Sequence, residues 1–164
     1  MPTPVVRMDA RPRLTTIAML TVAAVWLQLI MGAAFRHSGI RLLPHIIGAA
    51  VVFCMVNWLV ITTLKRHRAT PQLARPATFL LALLMVQVTL GLASYITRVL
   101  WSQGVSAPLT SMVVATVAHV ACGALVLVTS VILTIKIHRH VVLNSAAEVC
   151  AIHNASSTGG PVRA

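Results

Sequence analysis

Four stretches of this chain contain no Lys, Arg, Asp or Glu: Leu14–Phe35, Leu42–Leu64, Ala77–Ile96 and Leu109–Ile135. Each reaches the roughly 20 residues that a helix needs to cross the hydrocarbon core of a bilayer. None alternates in polarity as a β-barrel strand would. Backbone polar groups in lipid must pair within the segment, so each stretch is expected to be a helix. Composition agrees. The chain is 58% hydrophobic and 9% charged, where a soluble domain carries about 25% charged residues. The fold class that follows is an all-α membrane protein, a four-transmembrane-helix bundle over residues 14–135. Residues 1–13 form a basic segment before it. The first apolar run is too long for the core of a signal peptide, and no cleavage pattern ends it, so it reads as a retained anchor. Residues 136–164 form a cytoplasmic tail, which from Asn144 on, NASSTGGPVRA included, is small and polar and is expected to be disordered.

The charges orient the bundle. There are 13 Lys and Arg against 2 Asp and Glu. Arg7, Arg11 and Arg13 precede the first stretch. Lys65, Arg66, Arg68 and Arg75 lie between the second and third, and Lys136, Arg139 and Arg163 follow the fourth. The opposite side holds Arg36, Arg41 and Arg98. The positive-inside rule then places both termini in the cytoplasm. A nucleic-acid partner is not expected, because the cations sit between apolar runs and not along one polar face. The partner implied is the bilayer. Cys54, Cys122 and Cys150 form no CxxC pair, which argues against a disulfide framework or a zinc site.

The bundle reads as two similar helix pairs. The first stretch contains WLQLIMGAAF and the third MVQVTLGLAS, so Gln28-x3-Gly32 aligns with Gln87-x3-Gly91. The second opens with HIIGA from His45, and the fourth contains HVACGA from His119. Each pair is a Gln/Gly helix followed by a His/Gly-Ala helix. The repeat is imperfect, because the His–Gly spacing is one residue longer in the second copy.

Of seven histidines, only His45 and His119 lie within the apolar stretches. Ionisable residues at membrane depth are rare and usually functional. His45 is twenty residues before Lys65 and His119 seventeen before Lys136, which is roughly 30 and 26 Å at ~1.5 Å rise per residue. The two therefore share a level toward the outer leaflet. If their helices are diagonal in the bundle, the imidazoles face each other across its centre, an arrangement that suits one haem with two axial histidines. Gly32, Gly48, Gly91 and Gly123 lie near that level and would clear space for a flat macrocycle. The alternative is that such small residues only let membrane helices pack closely. Arg36 and Arg98 are placed to neutralise haem propionates, or to serve as ordinary interfacial anchors. Gln28 and Gln87 lie inside the bundle, where a bond across helices is a structural role.

LQLIMGAAFRHSG, PHIIGAA, MVQVTLGLASY and AHVACGALVLVTSVI, in that order, resemble the haem A synthase family of cytochrome oxidase assembly proteins. The resemblance covers roughly residues 20–135. In that family eight helices form two similar four-helix halves, with histidines on the second and fourth helix of each. The enzyme oxidises the methyl group of haem O to the formyl group of haem A. The resemblance implies that His45 and His119 are axial ligands of a b-type haem. It also implies a bacterial plasma membrane location and a role in haem A biosynthesis. This chain resembles one half, so a homodimer or a second half-size subunit would restore eight helices. Two features of the catalytic half are missing. IRLLPH carries no carboxylate a turn before His45, and FRHSGIRLLP carries no cysteine pair. With no Asp or Glu in the apolar stretches, an intramembrane carboxylate for proton handling is lacking. The match is to the cofactor-holding half.

Two other functions stay open on the residues alone. One is a b-type membrane electron carrier. The other is a cofactor-free assembly or structural subunit in which His45 and His119 hydrogen-bond neighbouring helices. A transporter is disfavoured, since no helix is broken by proline at mid-depth.

Overall fold

The computed structural model describes residues 14–37, 42–100 and 110–157. They form four α-helices: α1 (Leu14–His37), α2 (Leu42–His67), α3 (Pro71–Tyr95) and α4 (Thr110–Ser157). A π-helical turn, Ile96–Leu100, extends α3. All four helices are long and apolar enough to cross a membrane. The protein is an all-α, four-helix membrane bundle. Its large apolar side chains face outward along every helix, Trp26, Trp58, Phe79 and Leu125 among them. That is the arrangement a lipid solvent stabilises and water does not.

Helix ends follow local chemistry. Pro44 stands in the first turn of α2, where a missing N–H costs nothing. Pro71 opens α3, its fixed φ already helical, and Thr70 before it is extended. The charge-free pattern starts α3 at Ala77, but the helix begins six residues earlier. Pro76 sits inside it, leaving one helical bond unmade without ending the helix. The connection from α2 is therefore a tight turn, closed by the amide of Thr70 donating to the carbonyl of His67 at 2.9 Å.

A second difference lies at the C-terminal side. A membrane domain ending at Ile135 and a disordered tail from Asn144 were expected. Instead α4 runs unbroken to Ser157. No proline or glycine occurs between Ile135 and Ser157, so no helix breaker stops propagation. Just beyond the bilayer-length stretch, the His140 ring stands edge-on to His67 of α2, with centroids 5.1 Å apart. The expected disorder of residues 158–164 and the N-terminal segment 1–13 lie outside the described residues.

The helices touch in a ring. Contacts join α1 to α2, α2 to α3, α3 to α4 and α4 back to α1. Among the described residues, the backbones of α1 and α3 do not approach each other, nor do those of α2 and α4, helices that touch through the His67–His140 rings. The two histidine-bearing helices are thus diagonal.

The core occupies only one end of this ring. We call basal the end bearing Leu14, the α2–α3 turn and Ile137, and distal the end of the α1–α2 connection. Ile17, Ala18 and Val25 of α1 are buried there with Val56, Leu59 and Val60 of α2. Leu73, Leu80 and Leu84 of α3 join Val126, Leu133 and Ile137 of α4. Every fully buried apolar side chain among the described residues lies on the basal side of His45 and His119. The hydroxyls in this core are satisfied within their own helices. Thr21 donates to the Ile17 carbonyl, Thr63 to Leu59 and Thr134 to Ser130, each at 2.8 Å. Lys65, Arg66, Arg68, Arg75, Lys136 and Arg139 form an exposed basic collar around this end.

Candidate functional site

The repeat seen in the letters is a repeat in space. Gln28 on α1 faces His45 on α2, and Gln87 on α3 faces His119 on α4. Each glutamine lies four residues before the glycine against which its histidine rests. A Cβ at Gly32 would stand 3.0 Å from Cε1 of His45, and a Cβ at Gly91 would stand 3.0 Å from Cε1 of His119. The absence of a side chain on the first helix of each pair is what lets the imidazole of the second lie against its backbone.

The other two glycines serve the carboxamides. A Cβ at Gly48 would collide with Oε1 of Gln28, and one at Gly123 would come within 3.1 Å of Nε2 of Gln87 and 3.0 Å of Leu29. Glycines expected to clear space for a macrocycle thus border imidazole and carboxamide instead. They belong to the same layer as the histidines, as the spacing predicts.

Hydrogen bonds tie each pair. The Gln28 carboxamide nitrogen donates to the carbonyl of His45 at 2.8 Å and to Nδ1 of the same residue at 3.1 Å. In the second pair, Nδ1 of His119 donates to the main-chain carbonyl of Gln87 at 3.2 Å. The Gln87 side-chain nitrogen approaches Nε2 of His119 at a longer 3.4 Å. A further bond between hydroxyls, Ser94 to Thr116 at 3.1 Å, joins α3 and α4 more distally. Gln28 Oε1 and Gln87 Oε1 are buried and accept no hydrogen bond from the described residues. A buried acceptor without a donor costs about 1–3 kcal/mol.

His45 and His119 are half-buried, not sealed in the core. Of the two arginines expected near them, Arg98 is exposed on the π-helical turn, and the side chain of Arg36 lies outside the described residues. The outer segment 101–109 does so as well.

The partnership of each histidine with a glutamine of the preceding helix was not assigned from sequence. The signal was present: Gln-x3-Gly on one helix and His on the next, twice in the same order. No group of three or more His, Cys, Asp or Glu placed to hold a metal ion occurs among the described residues. What the layer offers is two imidazoles from diagonal helices, with no carboxylate beside them among the described residues. No protein-family model, curated protein or solved structure matches the chain.

Proposed function

We propose that this protein is a haem-binding integral membrane protein of the haem A synthase type, serving haem A biosynthesis and cytochrome oxidase assembly. The observation that carries the reading is the placement of His45 and His119. They are on diagonal helices, at one level, in the half of the bundle that has no packed core. The donor set fits a b-type haem held by two axial imidazoles. Gly32 and Gly91 on the partner helices let each imidazole lie against the helix backbone.

In this reading His45 and His119 ligate the iron. Gly32 and Gly91 seat the two imidazoles, Gly48 and Gly123 border the carboxamides that hold them, and Arg36 and Arg98 would neutralise the propionates. The haem, when bound, supplies a redox-active iron; the chain supplies its orientation and a low-dielectric surround. The basal collar faces the cytoplasm by the positive-inside rule, so both termini lie in the cytoplasm of a bacterial cell. A homodimer or a second half-size subunit completes an eight-helix assembly.

The test is a reduced-minus-oxidised visible spectrum of the protein in mild detergent, beside His45→Ala and His119→Ala. A low-spin b-type spectrum in the wild type, lost in both variants, supports the reading. A protein that stays colourless after haem is added overturns it. The hydrogen bonds from Gln28 to His45 and between His119 and Gln87 favour one second reading. In it, both histidines are cofactor-free helix pins, and replacing either with Gln leaves the fold and assembly intact.

A further inference from the structure

The two histidines occupy equivalent places in the repeat, yet their hydrogen bonds are not equivalent. The Gln28 carboxamide nitrogen can only donate. His45 Nδ1, 3.1 Å away, must therefore accept, and a neutral His45 carries its proton on Nε2. At His119 the relation is reversed. Its Nδ1 faces a main-chain carbonyl at 3.2 Å, which can only accept, so the proton sits on Nδ1, and the Nε2 lone pair meets only the long 3.4 Å approach of the Gln87 carboxamide nitrogen, a weaker hold than the one on His45. An Nδ1–H bonded to a backbone carbonyl is the outer-shell contact that orients metal-binding histidines.

The cause is the one-residue difference in the repeat. Gly48 follows His45 by three residues and Gly123 follows His119 by four. At 3.6 residues per turn, one residue shifts the notch by about 100° around the helix. The Gln28 carboxamide seats its oxygen against Gly48, whereas Gln87 turns its nitrogen toward Gly123. Gln28 is consequently clamped by two bonds to His45, while Gln87 makes one long contact with the His119 ring.

We infer that the two ligands are engaged in order: His119 is presented as the primary axial ligand, and His45 is held back by Gln28, a positioning residue that must release it. This rests on the haem reading above, and the test separates the two.

Nitrogen-15 spectra of imidazole-labelled apo protein in detergent report the tautomers directly. His45 is expected as Nε2–H and His119 as Nδ1–H, assigned by loss of each signal in the alanine variants. Haem titration then ranks the ligands. His45→Ala is expected to keep haem in a five-coordinate, high-spin form, while His119→Ala binds at least about tenfold more weakly. Gln28→Leu is expected to bind haem about two- to tenfold more tightly than wild type, by the value of the bond it removes. It also decides the matter if an alanine variant does not fold. Identical tautomers, equal or reversed losses in the alanine variants, or unchanged affinity in Gln28→Leu overturns the ordered engagement while leaving haem binding intact. A wild type that takes up no haem overturns the functional reading, and the ordered engagement with it.

Discussion

The basal and distal halves of the bundle solve the same problem, joining four helices, by different means. The basal half interlocks leucine, valine and isoleucine from all four helices, and its hydroxyls bond only to the turn below them. The distal half has no fully buried apolar side chain among the described residues, and its helices are joined by polar bonds from Gln28, Gln87 and Ser94. In lipid, tight packing gives stability, whereas interhelical hydrogen bonds average only about 0.6 kcal/mol. One half therefore holds the fold, and the other is left adaptable. The haem-binding function proposed above calls for such a division.

The division is broken most severely by cutting into the basal core. Leu80 is fully buried and Leu92, on the same helix, is 58% exposed. Leu80→Ala is expected to lose about 2–5 kcal/mol of stability, and Leu92→Ala to stay within about 0.5 kcal/mol of wild type. Unfolding in mixed detergent measures both, and equal losses would mean that the core is not confined to one end. Haem at about 100 times its dissociation constant is expected to add about 2.7 kcal/mol. Hydrogen exchange should locate the added protection around Gln28–Gly32, His45–Gly48, Gln87–Gly91 and His119–Gly123. Protection spread evenly over the basal helices would remove the distinction. Gly91→Ala, whose Cβ would meet His119 Cε1 at 3.0 Å, is expected to cost about 1–3 kcal/mol by overpacking; it should also weaken haem uptake, read by the visible spectrum. The mildest change is Ser94→Ala, which removes the bond to Thr116. It should cost about 0.6 kcal/mol, with no change in the spectrum.

The four spans were legible because charge is excluded from lipid, and the gaps between Arg36 and Arg41 or Lys65 and Arg75 interrupt the apolar pattern. The start of α3 was not, because Arg75 and Pro76 argue against a helix by charge and by rule, whereas Pro71 suits its first turn. Nor was the extension of α4, since polar residues past Ile135 say where lipid ends and not where the helix does. The shared level of His45 and His119 followed from counting along helices of known rise, whereas the diagonal placement of their helices was a condition that only the ring of helix contacts supplies. The confinement of the core could not be read in the same way. Apolar letters are as frequent around Ile46 and Ile47, which face outward, as around Val56 and Leu59, which are buried. In a chain solvated by lipid, hydrophobicity no longer distinguishes inside from outside. The small residues and the few polar ones carry that information: Gln28 and Gln87, read as inside the bundle, do bond across helices, to the two histidines.

The continuous helix α4 has a mechanical consequence. Thr110 to Ser157 is 48 residues, about 72 Å at 1.5 Å per residue, more than twice the hydrocarbon thickness. His119 and the stretch beyond His140 are thereby parts of one shaft, and a shaft transmits torsion. Anything that grips the protruding segment and turns it also turns the imidazole of His119 in the membrane, with the His67–His140 contact as its bearing.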